Sequence, residues 1–362
     1  MYTYIDYFIA FIISFAVSII ITPFVISMAE KYNFLDIPNG RKIHQSPIPR
    51  IGGLAIFIGT ISGLLYLNQL VTMIIPIALG GIVIVITGLL DDKYSLKPQY
   101  KLIGQIFAAC LVVFWGFNIE YINLPFWMDK ISLGVFGYVI AIFWIVGITN
   151  AINLIDGLDG LATGVSLIAL MTICILSMTS GQYLITALTL ILIGSSLGFL
   201  IFNFHPAKIF LGDTGALFLG YSISTISILG LYKSITFFSL FLPIIILAFP
   251  LLDTIFAIIR RLYKGKKIFS PDKSHLHHRL MEIGLSHRAT VIVIYVIATF
   301  SGLSAIIFSH SILWGALTIV AFILLFAQIT AEIVGLVEKK PLLKIFRKTA
   351  SNISNIINSM IP

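Results

Sequence analysis

Eleven apolar stretches decide what this chain can fold into. They run at roughly 4–28, 51–67, 70–90, 101–117, 134–151, 160–179, 183–203, 214–232, 235–262, 290–309 and 312–336, each near the length an α-helix needs to cross a bilayer. Inside lipid a backbone has no water to bond, so segments of this kind become helices that satisfy their own amides. Of the 362 residues 59% are hydrophobic and only 10% charged, which excludes a soluble globule of this size. The expected fold is an all-α polytopic membrane protein of about eleven transmembrane helices. Residues 1–336 read as a single transmembrane domain, and 337–362, with Lys344, Arg347 and Lys348, as a basic amphipathic tail on the membrane surface. The opening MYTYIDYF lacks the basic region of a cleaved signal peptide, so the first stretch is expected to be a retained span. Pro243 and Pro250 should kink or break the ninth stretch. Segment 118–133 alternates and bends at Pro125, which reads as a small external β-hairpin. Cys110 and Cys174 lie in apolar runs and read as small core residues.

Lys and Arg set the orientation. One set of loops carries Lys31, Arg41, Lys42, Arg50, Lys93, Lys97, Lys101, Lys208, the group from Arg260 to Arg288 and the cluster Lys339–Lys348; the other carries Lys130 and Lys233. The positive-inside rule puts the first set in the cytoplasm, the N-terminus outside and the C-terminus inside. The net charge of +8 is thereby a topology signal, and nucleic acid is not an expected partner. The carboxylates follow the same side: Asp91, Asp92, Asp156, Asp159, Asp213, Asp253 and Asp272. Each would cost about 2.5–3.5 kcal/mol at a bilayer centre. Their grouping at one end of apolar helices points to a single active face.

Five motifs could carry chemistry. TNAINLIDGLDGLATG at Thr149–Gly164 sets Asn150, Asn153, Asp156 and Asp159 between two spans. Asn and Asp offer the hard oxygens that Mg2+ accepts. GLLDDKYSLKPQYK at Gly88–Lys101 places Asp91 and Asp92 at a helix C-terminus, where the dipole opposes them, so a helix cap is a poor account of the pair. HPAKIFLGDTGALFLG at His205–Gly220 holds Asp213 between glycines; it could cap the next helix or approach a phosphate or metal. FSPDKSHLHHRL at Phe269–Leu280 clusters His275, His277, His278 and Arg279, which suit a polyanion better than zinc because no cysteine accompanies them. PNGRKIHQSPIPRIGGLAIF at Pro38–Phe57 brings Arg50 and a glycine pair to a helix start, where a phosphate could sit. Taken singly, each has a plainer reading: interhelical hydrogen bonds for the Asn residues, topology marking for the lysines. Together they assemble a Mg2+ site and a diphosphate site at a membrane surface, which suits phosphoryl transfer from a nucleotide to a lipid phosphate.

GLLDD, NAINLIDGLDGLATG, FLGDTGALFLG and HLHHRL, in this order, resemble the polyprenyl-phosphate N-acetylhexosamine-1-phosphate transferases over residues 1–336. Within them the chain looks most like the bacterial enzymes that start wall teichoic acid linkage units, enterobacterial common antigen or O-antigen. The resemblance implies a Mg2+-dependent enzyme, with Mn2+ able to stand in, of the multi-pass bacterial cell membrane with its site on the cytoplasmic face. It would transfer GlcNAc-1-phosphate, or a related sugar phosphate, from a UDP-N-acetylhexosamine to undecaprenyl phosphate and release UMP; a homodimer is a candidate assembly. By the resemblance Asp213 and Asn153 hold the metal, and Asp91 or Asp92 deprotonates or positions the lipid phosphate. Asp156 and Asp159 face the nucleotide, with Asp159 near uracil, and Asn150 and Arg50 join the substrate site. Lys101 and the His275–Arg279 group hold diphosphate or sugar. One departure is that Ser95 stands at the fifth position of a full DDxxD pattern. The phospho-MurNAc-pentapeptide transferases are the alternative branch. A secondary transporter is the alternative of another class, but the acids cluster at one face and no repeat is visible. A CDP-alcohol phosphotransferase lacks its spaced Asp pattern here, and a scaffold gives the acids no purpose.

Overall fold

The computed structural model describes residues 2–37, 47–119, 121–123, 130–231, 235–236, 241–263, 265, 275–282, 284–310 and five positions between 317 and 324. The amphipathic tail at 337–362, most of the stretch 312–336, the loop residues Arg41, Lys42, Lys266, Lys267 and Lys273, and the bend at 124–129 lie outside them.

The apolar stretches form helices in chain order: α1 Tyr4–Lys31, α2 Gly53–Tyr66, α3 Asn68–Tyr94, α4 Pro98–Phe114, α5 Val135–Leu154, α6 Leu161–Thr179, α7 Tyr183–Asn203, α8 Gly212–Leu231, α9 Phe241–Ile246, α10 Ala248–Tyr263, α11 Leu276–Glu282 and α12 His287–His310. Among the described residues α1, residues Ile74–Tyr94 of α3, α5, α6, α7 and α12 are long and apolar enough to cross a membrane; α2, α4 and part of α10 are shorter apolar helices. The chain is a helical, multi-pass membrane protein. The stretch expected to break at its prolines does so: α9 ends at Ile246 and α10 starts at Ala248, around Pro243 and Pro250.

Burial sorts the helices. Some 72% of the apolar windows of α6 and α7 is buried against 28% for α1, so the first two lie inside and α1 skirts the bundle. α8 is the central post, with Ala216, Leu217, Leu219, Tyr221 and Ile223 essentially inaccessible. With lipid on the outside, close packing and interior hydroxyl bonds hold such a bundle. Thr60 and Ser195 hydroxyls join α2 to α7 at 2.9 Å, and Thr163 donates to Asn203 Oδ1 at 2.9 Å between α6 and α7. A Cβ on Gly53 would stand 2.0 Å from the Gly215 nitrogen, so the starts of α2 and α8 touch backbone to backbone.

Strands are few. β1 Leu35–Asp36 pairs antiparallel with β2 Ile48–Pro49. β3 Tyr121–Asn123 pairs antiparallel with β4 Lys130–Ser132, and β5 Ile235–Thr236 adds parallel to β3. Within segment 118–133, β3 and β4 thus belong to a three-stranded sheet that includes the chain after α8.

Candidate active site

The ends of α5 and α7, the start of α8 and the chain around Arg50, His278 and His287 border a cavity of about 600 Å³, lined by Arg50, Asn153, Asp156, Asp159, Asp213 and His278 among others. That volume is in the range of small-molecule sites.

The best-defined part is a row of alternating charges. Asp91 Oδ2 lies 2.7 Å from Lys101 Nζ, which lies 2.6 Å from Asp213 Oδ1. Asp213 Oδ2 lies 2.5 Å from Arg50 Nη2, and Arg50 Nε lies 3.1 Å from Asp92 Oδ1. Three carboxyl groups face two cations, one acid more than the cations pair singly. Buried acids are tolerable when paired and hydrogen-bonded in this way.

The two adjacent acids do different work because they leave α3 in different directions. Asp92 is wholly buried. Its Oδ1 accepts the Asp213 N–H at 2.9 Å, and its Oδ2 accepts the Thr214 N–H at 2.9 Å and the Thr214 hydroxyl at 2.6 Å. It thereby caps the N-terminus of α8, where the helix dipole favours an anion. Asp91 turns to Lys101 and accepts the Leu96 N–H at 2.8 Å, beyond the left-handed Ser95 that ends α3. The departure from DDxxD therefore falls where the helix stops. Asp213 lies inside the first turn of α8, and its carboxylate goes to Lys101 and Arg50; the capping expected of it is done by Asp92.

The last turn of α5 brings Asn153, and the loop after it Asp156 and Asp159, to the cavity. Burial, and after it the charge of Asp213, pushes the Asp156 carboxyl up to about 8. Asn150 does not join them. Its Nδ2 donates to Gln105 Oε1 at 2.5 Å, and Gln105 Nε2 donates back at 3.3 Å, so this amide pair ties α5 to α4. The structure thus places Asn150, expected in the substrate site, in a helix-pairing contact a turn deeper than Asn153. Gly52 and Gly53 donate to the Phe210 and Leu211 carbonyls at 3.0 and 2.9 Å, which commits those N–H groups to the fold, while Arg50 lines the cavity.

The histidine group also divides. His278 lines the cavity. His275 is buried, and its Nδ1 donates to Asp253 Oδ2 at 2.8 Å, while the Leu276 N–H donates to Asp253 Oδ1 at 3.0 Å. Asp253, on α10, thus anchors the start of α11. His277 packs on Gly157, where a Cβ would stand 2.4 Å from its Nε2. Neither His277 nitrogen meets a hydrogen-bond partner among the described residues. Burial, then the neighbouring His278, pushes its pKa down to about 3, so it is neutral near pH 7 and not a cationic anchor. Arg279 is paired with Glu282 at 2.9 Å.

Sequence reading overlooked His205 and His287. With Asp159 they bring three potential ligand atoms within 4.8 Å of one another at the cavity wall. They come from three separate segments, so no local spacing signals them.

The glycosyl transferase family 4 model matches residues 74–231, the part that carries Asp91, Asp92, the Asn153–Asp159 loop and Asp213. A probable undecaprenyl-phosphate N-acetylglucosaminyl 1-phosphate transferase of Bacillus subtilis is 49% identical over 343 residues, 94% of this chain and 96% of that one. The chain belongs to glycosyl transferase family 4. Two further relatives share less of its sequence. A decaprenyl-phosphate N-acetylglucosaminephosphotransferase of Mycobacterium tuberculosis is 34% identical over 78% of each chain. A phospho-N-acetylmuramoyl-pentapeptide-transferase of Lactobacillus gasseri is 35% identical over 85% of this chain and 98% of that one. The matched region of the family model excludes Arg50 and the histidine group, which enter the site from outside it.

Proposed function

We propose that this chain transfers GlcNAc-1-phosphate from UDP-GlcNAc to undecaprenyl phosphate and releases UMP, as the first membrane step of a cell-envelope polysaccharide such as wall teichoic acid. The observation that carries this is the row Asp91–Lys101–Asp213–Arg50–Asp92, whose Arg50 and Asp213 line the cavity, in a bundle of apolar helices. A nucleotide diphosphate and a lipid phosphate repel each other, and a site that joins them must neutralise both. The excess of Lys and Arg on one set of loops supports a cytoplasmic site, an outer N-terminus and about eleven spans.

The donor set fits Mg2+: Asp213 and Asn153, with Asp156 beside them, offer hard oxygens, and no thiol lines the cavity. Bound there, the cation would neutralise charge on the diphosphate. Arg50 and Lys101, now on Asp213, are placed to turn to phosphate oxygens. Asp91 is the acid we assign to orient the lipid phosphate or take its last proton, because Asp92 is committed to two backbone N–H groups, a hydroxyl and Arg50, whereas Asp91 holds one backbone N–H and the mobile end of Lys101. A lipid phosphate oxygen would attack the phosphorus that bears the sugar. One P–O bond forms and the P–O bond to UMP breaks.

The decisive test is UMP release by the purified protein with undecaprenyl phosphate, Mg2+ and one UDP-sugar at a time. Release that needs both lipid and Mg2+, and prefers UDP-GlcNAc, is the expected result. Preference for UDP-MurNAc-pentapeptide would move the chain to the sister branch, and no release from any sugar would overturn the reading. The raised Asp156 carboxyl adds a pH signature. In the free protein it keeps its proton below about 8, and a cation must displace that proton. The Mg2+ midpoint of UMP release should therefore fall as pH rises toward that value, by up to about tenfold per unit, and level off above it. Asp156→Asn should flatten the slope; an unchanged slope would remove Asp156 from the cation site.

A further inference from the structure

A second layer of side chains underlies the charged row, one turn further into the helices. Asp91 and Asn153 stand near the ends of α3 and α5, and Lys101 near the start of α4. Thr87, Asn150 and Gln105 lie three or four residues along the same helices, on the same faces and about 4.5–6 Å deeper. Gln105 is 1% exposed, and its amide exchanges two hydrogen bonds with that of Asn150. Asn150 Nδ2 also donates to the Val146 carbonyl at 2.8 Å. That bond fixes which end of the Asn150 amide carries the nitrogen, and with it the sense of the exchange with Gln105. The layer continues on both sides by shape alone. A Cβ on Gly104 would stand 2.3 Å from Thr87 Oγ1, so α4 is wedged against α3. A Cβ on Gly220 would stand 2.7 Å from the Thr149 Cα, so α5 lies close against α8. Between α4 and α5 the amides add direction to the packing. Apolar side chains tolerate several registers, whereas a slide or rotation of α4 would leave buried amide groups without partners.

We propose that Gln105 and Asn150 are positioning residues that set the register of α4 against α5, and thereby hold Lys101 in place relative to Asn153 for the transfer step. The inference rests on the transferase reading above. Lys101 has little slack, because its Nζ meets Asp91 Oδ2 and Asp213 Oδ1 at once, at 2.7 and 2.6 Å. A group about 1 Å out of place can cost about 10²-fold in rate. The flexible lysine stem absorbs part of such a shift, so the loss expected here is about tenfold.

The test compares kcat for UMP release and the melting temperature in detergent for Gln105→Met, for Asn150→Leu, for the two combined, and for the exchange of Gln105→Asn with Asn150→Gln. Each single variant should melt below wild type, because it leaves the other amide buried without its partner. The combined apolar variant should recover the melting temperature, since both partners are then gone. Its kcat should nonetheless stay about tenfold below wild type. The exchanged pair still sets amide against amide across the same number of side-chain atoms, and should recover most of kcat. Wild-type kcat in the combined apolar variant overturns the inference. So does its failure to fold, which would make the amides a requirement of the fold itself. An exchanged pair that melts as wild type but stays slow overturns it as well. If the wild type releases no UMP from any sugar, the transferase reading falls instead.

Discussion

Asp213→Asn should lose about 10²–10³-fold in turnover while the protein still purifies folded, the scale seen when one preorganised charge is removed from a phosphoryl-transfer site. The geometry gives both halves of that expectation. Each Asp213 oxygen meets a different cation, Lys101 on Oδ1 and Arg50 on Oδ2. An asparagine keeps one oxygen and turns an N–H toward the other cation, so one of the two is left facing a donor. It also removes the charged ligand that we assign to Mg2+. The start of α8 survives, because the main-chain N–H of residue 213 and that of Thr214 still reach Asp92. A Mg2+ titration of UMP release would show a lower plateau and a higher midpoint. Turnover and midpoint both near wild type would place the reaction elsewhere.

The sequence exposed part of this site and hid part, for physical reasons. Asn153, Asp156, Asp159 and Asp213 were legible because polar side chains at the ends of apolar helices need a purpose, and they do reach one cavity. Asn150 belongs to the same motif, yet the turn between it and Asn153 decides that it meets Gln105. Nothing local in α5 names that partner, which comes from α4, 45 residues away. His205 and His287 were illegible for the same reason: each is unremarkable in its own segment and acquires meaning only across the fold. The histidine motif was legible as a cluster but not as a set of separate tasks. Burial decides those tasks, anchoring His275 on Asp253 and keeping His277 neutral. At the level of the fold, the apolar stretches gave the helical class, and the prolines of the ninth gave its break. Run length alone does not say where a helix stops inside a bundle, and α9 stops at Ile246.

The adjacent acids offer the second large effect, and it is a contrast. Asp91→Asn and Asp92→Asn should both lose most turnover, but only Asp92→Asn should lower the melting temperature appreciably. Asp92 holds two backbone N–H groups and a hydroxyl of α8 besides Arg50, with no exposure to solvent. Charge-assisted bonds of this kind contribute about 1.5–3 kcal/mol each, and a buried donor left without its acceptor costs more than the bond was worth. An asparagine must present its N–H₂ either to the Asp213 N–H and Arg50 or to Thr214, and each choice sets donor against donor. The start of α8 would loosen, Asp213 would move with it, and activity would fall through displacement of the row. Asp91 holds one backbone N–H and Lys101, at a helix end that Ser95 already closes through its bond to the Asp91 carbonyl. Its asparagine can keep the Leu96 bond on the remaining oxygen, so the fold should be spared while the acid assigned to the lipid phosphate is gone. Thermal melting in detergent beside UMP release would separate the two. If Asp91→Asn melts early and Asp92→Asn does not, the roles are exchanged. If both turn over near the wild-type rate, neither acid serves the reaction.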